Sequence, residues 1–392
     1  MWIIITLVVL AGTFWYMGHR WETSRVRPTL KKTPLVSILI PAYNSEAVIR
    51  DTIESAKNLD YKNKEIIVVN DSNDGTPDIC KELGVRCIQN NTRGGKGESL
   101  NNAVKKAKGE ILFFLDSDTT MNKDVLNKVV PWFSKKGIEA VAPQFMIKNR
   151  TNFLTRLIAL EHQLQSALFK VHMFFGSMIS FRGCGIAIRR SSFEKLGGWP
   201  KTLIEDTDFA GMMVSRGMKI QYEPDAIVHT IEPDSIKELN KQRTRWGKGT
   251  LYSFLHYKRM YSKNSQFHLY FMPYLIMILA MFFFFAWQTM LLIIPIVTLY
   301  LVYAVTISEF FMLFFAFFTP FATTMVASVA TASVGHVAVI THGEHRRRSD
   351  ALYIIPYIFF YFPMMMVFYA RGFISGAKDK KRGESEVDFK FW

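Results

Sequence analysis

The sequence has few cysteines and fewer acidic than basic residues. Its three cysteines, Cys80, Cys87 and Cys184, form no CxxC pair and no even set. This argues against a disulfide scaffold or a zinc site and fits a reducing compartment. There are 33 Asp and Glu against 48 Lys and Arg, a formal charge of +15. Such an excess suits anionic membranes, anionic substrates or nucleic acid. No nucleic-acid fingerprint, internal repeat or low-complexity tract occurs, so no nucleic-acid partner is predicted.

Long apolar runs, by contrast, are present at both ends of the chain. Hydrophobic residues make up 49% of the sequence. The first run, residues 1–17, is slightly shorter than the roughly 20 residues that cross a bilayer. Basic residues follow the run rather than precede it, and no small-residue cleavage site is visible, which disfavours a signal peptide. We therefore predict an N-terminal transmembrane helix over residues 1–20, with the following domain in the cytosol.

The C-terminal part is predicted to be a set of membrane segments. Residues 251–268, basic and aromatic, are typical of an interfacial helix. Residues 269–371 are largely apolar, and their breaks and prolines are compatible with three to five transmembrane or interfacial segments. Residues 372–392 form a basic polar tail. The pattern predicts a multi-pass protein of the cell membrane, with membrane lipids among its partners.

Between these regions, residues 34–250 are predicted to form an α/β domain. Short apolar, β-branched runs alternate with segments of helical period, which is typical of a parallel sheet. The predicted strands are residues 35–40, 65–69, 85–88 and 111–115, and the predicted helices follow at 48–56, 76–83 and 95–107. Ligand-binding groups are expected at the carboxyl ends of such strands, where Tyr43, Asp71 and Asp116 occur.

Acidic clusters are the first candidates for chemistry. Asp116-Ser117-Asp118 follows an apolar strand, and two carboxylates at this spacing can bind a hard divalent cation, which can neutralise a diphosphate. A solvated turn is the alternative. Asp71 can bond a base or ribose, or serve the turn. Residues 204–208 hold three acids within four positions, suited to a general base or simply to a helix N-terminus.

Two further motifs contain basic residues. Arg93-Gly94-Gly95-Lys96-Gly97 precedes a helix and can approach a phosphate, but it lacks the Walker spacing. Gln242-Arg243-Thr244-Arg245-Trp246 is more specific. Its arginines can grip a diphosphate, and its tryptophan offers a face for a sugar ring. Attraction of a basic helix to lipid would explain the arginines, but not Gln242 and Trp246.

In this order, the motifs resemble the family-2 glycosyltransferases of GT-A fold. More narrowly, they are similar to the membrane-integrated synthases of cellulose, chitin, hyaluronan and poly-N-acetylglucosamine. The resemblance covers residues 34–260. It implies an α/β GT-A (Rossmann-like) cytosolic domain with α-helical transmembrane segments, a Mg²⁺ or Mn²⁺ cofactor, and a nucleotide-sugar donor.

The resemblance also implies a role for each candidate residue. Asp206 matches the catalytic base. The implied donor-binding residues are Tyr43, Asp71, Lys96, Asp116, Gln242, Arg243 and Arg245. The implied acceptor-binding residues are Cys184, Gly185, Glu205 and Trp246. The implied metal ligands are Asp116 and Asp118.

Three departures from the family pattern are visible. Asn70-Asp71-Ser72-Asn73 replaces the usual Asp-Asp-Gly-Ser, which puts one nucleotide contact in question. Ile204 replaces a threonine before Glu205-Asp206, so a hydroxyl is lost. No FxVTxK-like gating loop occurs, and no cyclic-dinucleotide domain follows, which argues against regulation as in bacterial cellulose synthase.

The sequence therefore predicts a metal-dependent, inverting transfer of sugar, from a UDP-sugar, to a growing β-linked polysaccharide, with coupled translocation across the membrane. N-acetylglucosamine is the predicted sugar, by similarity to the smaller bacterial synthases. One alternative is a non-processive enzyme that loads sugar onto a polyprenyl phosphate or other lipid acceptor. A transporter with a soluble regulatory domain is a second alternative, and it leaves the acidic clusters unexplained.

Overall fold

The fold is that of a computed structural model, which describes residues 12–13, 16–29, 32–90, 94–263, 290 and 352–381. The membrane segments predicted between residues 269 and 351 lie outside the described residues, apart from residue 290. So do residues 1–11 of the predicted N-terminal transmembrane helix and residues 382–392 of the predicted tail.

An eight-stranded mixed sheet forms the centre of the domain, with the strand order β3-β2-β1-β4-β7-β6-β8-β5. The strands are β1 Val36–Ala42, β2 Lys64–Asn70, β3 Arg86–Gln89, β4 Ile111–Leu115, β5 Thr120–Met121, β6 Ile138–Ile147, β7 Gly185–Arg189 and β8 Lys219–Thr230. Strands β3, β2, β1 and β4 are mutually parallel. The predicted parallel sheet is confirmed for this half. Strand β7 runs antiparallel to β4 and β6, so the other half is mixed.

Helices cover both faces of this sheet. They are α1 Ile49–Lys57, α2 Thr76–Glu82, α3 Lys96–Lys106, α4 Val125–Val129, α5 Phe153–Phe174, α6 Arg190–Leu196, α7 Glu205–Ser215, α8 Ile236–Lys263 and α9 Phe362–Lys381. Strand β4 is buried along its whole length, and its side chains alternate between the two faces. Phe113 lies in one hydrophobic core and Phe114 in the other. The three predicted helices correspond to α1, α2 and α3, with boundaries that differ by at most one residue.

A third hydrophobic cluster joins helix α5, helix α8 and the C-terminal helical segment. Helices α8 and α9 approach closely at glycines. A Cβ atom at Gly247 would lie 2.6 Å from the carbonyl oxygen of Tyr369, so no larger residue fits without a shift of the backbone. Helix α8 is continuous across residues 250 and 251, where the sequence analysis divides the catalytic domain from an interfacial helix.

One helix of the described residues, Ile354–Asp379, is long and apolar enough to cross a membrane. Core helices of soluble proteins meet the same criterion. Residues 16–24 are helical, and the first five of them belong to the predicted N-terminal span. They are followed by a segment that docks on the domain. There, Arg25 and Arg27 pair with Glu223 on strand β8, at 2.5 and 2.9 Å. Trp132 donates a hydrogen bond to the same carboxylate, at 2.7 Å.

Candidate active site

Three predicted site residues lie side by side at one edge of the sheet. Strands β2, β1 and β4 are parallel neighbours, so their carboxyl ends meet at that edge. Tyr43, Asp71 and Asp116 directly follow these strands. Tyr43 is 41% exposed.

The Asp71 carboxylate is held by two side chains. Its Oδ1 accepts a hydrogen bond of 2.7 Å from the Asn90 amide, and its Oδ2 accepts one from the Ser99 hydroxyl of helix α3. Asn70, where the family pattern has an acid, is buried and donates to the Ser72 carbonyl and to the Gln89 side chain. Asn70 therefore serves the turn, whereas Asp71 is oriented at the strand end.

Lys96 brings the strand ends together with a second acidic segment. It begins helix α3 after Gly95, whose φ of 85° favours glycine. Its Nζ lies 2.6 Å from Asp116 Oδ1 and 3.8 Å from Glu205 Oε1. Burial would lower the pKa of Lys96, but Asp116, Glu205 and Asp206 raise it above its ordinary value. The lysine is therefore charged and pairs with the acids.

Two carboxyl groups near Lys96 bind protons more tightly than usual. Burial, with the Asp116 charge, raises the pKa of Asp118 to about 6. Burial also raises the pKa of Glu205 to about 7, although Lys96 opposes this. We call this group the acidic cluster; its members are Lys96, Asp116, Asp118, Glu205 and Asp206. Its four carboxyl groups face a single lysine, and this excess of acidic groups favours the binding of a further cation.

Asp206, the predicted base, is fixed by backbone donors. Its Oδ2 accepts a 2.8 Å hydrogen bond from the Gly183 N–H, and its Oδ1 accepts one of 2.7 Å from the Thr207 N–H. A Cβ at Gly183 would lie 3.1 Å from Lys96 Nζ and 3.3 Å from Asp206 Cβ. The absence of a side chain at position 183 therefore allows this segment to approach both groups.

The predicted acceptor residues Cys184 and Gly185 follow directly. Burial raises the pKa of the Cys184 thiol well above its usual value, so this group is neutral at physiological pH. Gly185 begins strand β7, which pairs with β4. This pairing brings residues 183–185 to the end of β4, where Asp116 lies.

The two arginines of the helix α8 motif have different partners. Arg245 Nη1 donates to the Leu203 carbonyl at 2.9 Å, in the segment that leads to Glu205 and Asp206. Arg243 is fully buried and donates to Glu161 at 2.7 Å. Residues two apart on a helix point to opposite sides. The structure thus brings Arg245 close to the acidic cluster and directs Arg243 towards helix α5.

Trp246 lies against two guanidinium groups. The Cζ atoms of Arg243 and Arg182 lie 4.0 and 5.8 Å from the centre of its ring. Gln242, one turn earlier, donates to Glu232 at 3.5 Å. We call the surrounding ionisable residues the arginine cluster; its members are Glu161, His162, Arg182, Glu232 and Arg243.

The sequence analysis did not single out Arg182, Glu232, Glu161 or His162. Glu161 and His162 lie within helix α5, most of whose buried residues are apolar. Two adjacent ionisable residues in such a helix are a sequence signal that could have been used. Arg182 and Glu232 are 50 residues apart in the chain. Their pairing depends on the fold and leaves no local pattern.

Comparisons with known proteins find similarity to glycosyltransferases. Residues 37–197 match the profile described as Glycosyl transferase family 2. The chain is 34% identical over 267 residues to the probable glycosyltransferase YdaM of Bacillus subtilis, and this match covers 63% of each chain. It is 27% identical over 262 residues to the poly-beta-1,6-N-acetyl-D-glucosamine synthase of Staphylococcus aureus, covering 62% of this chain and 63% of the relative. The matches thus span less than two thirds of these relatives' lengths.

A solved structure extends the likeness to the fold. The mannosyltransferase PcManGT from Pyrobaculum calidifontis, in complex with GDP-Man and Mn²⁺, superposes with a TM-score of 0.58 at 18% identity. The superposition covers 96% of this chain and 99% of that one. It shows a mixed α/β, Rossmann-like GT-A fold, and the family-2 glycosyltransferase profile matches residues 37–197 of this fold. The family match and the relatives support a glycosyltransferase enzyme.

Proposed function

We propose that this chain, with its family-2 glycosyltransferase domain, transfers a sugar from a UDP-sugar to a growing β-linked polysaccharide, with inversion at the sugar C1. One observation carries the proposal. Asp206 is held by two N–H donors at the edge of the sheet where Lys96 bridges Asp116 and Glu205. A fixed carboxylate beside a cationic group is what deprotonation of a hydroxyl and departure of a diphosphate require.

In the proposed reaction, Asp206 accepts the proton of the acceptor hydroxyl. The hydroxyl oxygen forms a bond to C1 of the donor sugar, while the bond from C1 to the diphosphate oxygen breaks. Negative charge then develops on the leaving diphosphate. Lys96 and Arg245 are the proposed cationic groups that stabilise this charge, because both reach the segment that begins with Leu203.

The nucleotide is proposed to lie across Tyr43 and Asp71. The Asn90 and Ser99 side chains hold both Asp71 oxygens, so this carboxylate is preorganised to accept hydrogen bonds from a uracil base. The exposed Tyr43 ring offers a face against which a base can stack. This supports a donor site at the carboxyl ends of strands β1 and β2.

Asp116 and Asp118 are the proposed ligands of a Mg²⁺ or Mn²⁺ ion. Their oxygen donors suit a hard cation, and the raised pKa of Asp118 reflects burial and a neighbouring like charge that a cation would offset. Among the described residues, no group of three or more His, Cys, Asp or Glu could hold a metal ion. We therefore propose that the donor diphosphate completes the ligand set. When bound, the ion supplies further charge neutralisation of the diphosphate.

Trp246, Cys184, Gly185 and Glu205 are proposed to form the acceptor site. The partly buried Trp246 indole is proposed to offer an apolar face to a sugar ring, and the loop of Gly183 connects this region to Asp206. The similarity to the poly-beta-1,6-N-acetyl-D-glucosamine synthase of Staphylococcus aureus supports N-acetylglucosamine as the transferred sugar. We propose that the growing chain passes through the membrane segments of the protein as it is elongated.

Attachment to the cell membrane is part of the proposal. In the helix Ile354–Asp379, Tyr361, Met365 and Phe368 pack in a cluster with helices α5 and α8. Phe360, Val367 and Ile374 are exposed and recur every seven residues, so they share one face. A helix that packs on the catalytic domain along one side and exposes apolar residues on the other suits the membrane interface. With the predicted apolar segments, this supports a multi-pass protein with a cytosolic catalytic domain.

The proposal can be tested with membrane vesicles that contain the full chain. A panel of UDP-sugars with Mg²⁺ or Mn²⁺ would be screened for release of UDP, with the variant Asp206→Asn as the control. We expect release with UDP-N-acetylglucosamine and a polymeric product. Products with one added sugar would contradict processive elongation. A product that extracts into organic solvent would favour the lipid acceptor, and no release with any donor would overturn the proposal.

A further inference from the structure

Arg182 lies at the junction between helix α5, strand β8 and the loop that reaches Asp206. Its Nε donates to Gln165 Oε1 at 2.8 Å. Its Nη1 lies 3.2 Å from Glu232 Oε1 and 2.8 Å from His162 Nε2. The Arg182 side chain is only 13% exposed. The guanidinium is therefore held in a fixed orientation by two helix α5 side chains and a carboxylate.

The charges around Arg182 balance internally. The Glu232 carboxylate is 5% exposed. Burial would raise its pKa, but a hydrogen bond with His162 and the charges of Arg182 and Arg243 hold it below its ordinary value, so it is ionised. Burial, with the Arg182 charge, lowers the pKa of His162, so the imidazole is neutral at physiological pH. Arg182 thus has a full charge partner and carries no excess charge with which to bind an anionic ligand.

One face of Arg182 is directed at helix α8. Its Cζ lies 5.8 Å from the centre of the Trp246 ring, within the range of a cation–π contact. Glu232, its charge partner, also accepts a hydrogen bond of 3.5 Å from Gln242, one turn before the tryptophan. Two separate contacts therefore connect Arg182 to the helix that carries the indole.

The backbone that follows Arg182 is directed at the proposed base. The N–H of the next residue, Gly183, donates to Asp206 Oδ2 at 2.8 Å. Any displacement of the arginine would move this donor as well as the surface beneath Trp246. Displacement by about 1 Å can reduce catalysis by about 100-fold.

We infer that Arg182 is a positioning residue that fixes the Trp246 indole and the Gly183 N–H relative to each other. It thereby couples acceptor binding to the orientation of Asp206. The inference rests on the proposed function and assigns the residue no contact with the reacting atoms. Glu232 and Gln165 orient the guanidinium. The donor site at Tyr43 and Asp71 is outside this network.

The variant Arg182→Lys tests the inference. Lysine retains the charge but not the planar fork that reaches Gln165 and Glu232 together. With UDP-N-acetylglucosamine and a β-1,6-linked N-acetylglucosamine oligomer, we expect KM for the oligomer to rise about 10-fold and kcat to fall about 10-fold, and KM for the donor to change less than about twofold. An unchanged KM for the oligomer, or an equal rise in KM for the donor, would overturn the inference.

A matched control comes from the far end of strand β7, which begins three residues after Arg182 and ends at Arg189. Arg189 pairs with Glu139 at 3.0 Å, so Arg189→Lys replaces a planar guanidinium with an ammonium group in another ion pair. We expect the kinetic constants of this variant to be unchanged. The thermal unfolding midpoint of each variant would be measured alongside. If Arg182→Lys lowers that midpoint and does not raise KM for the oligomer more than KM for the donor, the role of Arg182 is merely structural and the inference is wrong.

A double-mutant cycle with Glu232→Gln sharpens the result. Because Glu232 acts through Arg182, we expect the effects of the two variants on KM for the oligomer to be strongly non-additive. Additive effects would contradict a single network. If the wild-type protein releases no UDP from any sugar donor, the proposed function fails first. If the wild-type protein is active and Arg182→Lys retains its acceptor KM, only the inference fails.

Discussion

The acidic cluster around Lys96 and the arginine cluster around Trp246 both contain buried charges, but they balance those charges differently. In the arginine cluster, Arg243 pairs with Glu161 at 2.7 Å and Arg182 with Glu232 at 3.2 Å. In the acidic cluster, the Lys96 ammonium contacts Asp116 and Glu205 together. One cluster has a partner for each charge, whereas in the other the carboxyl groups outnumber the cation.

This difference indicates what each region is for. An excess of carboxyl groups is unfavourable in the protein alone and becomes favourable when a cationic ligand or a proton arrives. Balanced buried ion pairs contribute little net stability, and they are retained in some proteins because they specify one arrangement. We infer that the acidic cluster changes its bound cations or protons during the proposed reaction. The arginine cluster, in contrast, keeps the proposed acceptor site in one arrangement.

The largest expected effect comes from removing the proposed base. Asp206→Asn should reduce transfer by about 1,000-fold or more, because an amide cannot accept the proton of the acceptor hydroxyl. Binding of UDP, measured by calorimetry, should stay within about twofold. Asp51→Asn, at an exposed pair with Lys148, is the control and should be fully active. Substantial turnover by Asp206→Asn would exclude this residue as the base.

The arginine cluster should instead respond in stability. Arg243→Met leaves the Glu161 carboxylate without its arginine. Loss of one partner of a buried ion pair typically costs about 3–5 kcal/mol, so we expect the unfolding midpoint in detergent to fall on the order of 10 °C.

The matched control for this loss of stability is Arg50→Met, which removes an exposed ion pair with Glu82 and should leave the midpoint unchanged. Equal effects of the two substitutions would remove the distinction between a structural and an exposed pair.

The part of the candidate site at the strand ends was largely predictable from sequence, because its residues have local signals. Apolar runs with strand periodicity end at Tyr43, Asp71 and Asp116, and parallel strands place such ends together. Asp206 was assigned through the family motif and not from the spacing of apolar residues. Its position depends on the antiparallel pairing of strands β4 and β7, which no local pattern in the sequence predicts.

The arginine cluster was less predictable because its contacts are long-range. Glu161 and Tyr361 are 200 residues apart, yet the tyrosine hydroxyl donates to the carboxylate at 2.6 Å. The resemblance assigns Arg243 and Arg245 to one diphosphate. Helical periodicity separates the two side chains, and the structure has Arg243 against Glu161 and Trp246. The role of Arg243 at the donor remains a prediction, whereas its buried ion pair is a structural observation.

Removal of divalent cations should distinguish the two clusters again. We expect a chelator to reduce transfer by about 100-fold, and Mg²⁺ or Mn²⁺ to restore it, because the excess of carboxyl groups then lacks its proposed counter-ion. Asp118→Asn should require more metal for half-maximal activity, whereas Arg182→Lys should keep the wild-type requirement. Full activity in the chelator would contradict the proposed metal site. An equal change in both variants would contradict the separation of the clusters.

The smallest expected effect is on the pH dependence of stability, where the two clusters should behave oppositely. The raised pKa of Glu205, about 7, means that the folded protein keeps a proton which the unfolded chain releases above its ordinary pKa of 4.5. Stability is therefore lost as pH rises from about 4.5 to 7. Without metal and donor, Glu205→Gln should gain stability relative to wild type across this window, by up to about 3 kcal/mol.

Glu232 provides the opposite case. Burial would raise its pKa, but a hydrogen bond with His162 and the charges of Arg182 and Arg243 lower it below its ordinary value. Its contribution to stability is therefore present above pH 4.5 and is lost as pH falls below it. Glu232→Gln should be less stable than wild type at neutral pH, by an amount that is constant from pH 6 to 8 and shrinks towards pH 4. Unfolding midpoints from pH 4 to 8 give both slopes. Glutamine has its own packing cost, so the test is how the stability difference between variant and wild type changes with pH, and not the size of that difference. The same pH dependence for both variants would show that the two carboxyl groups are balanced alike.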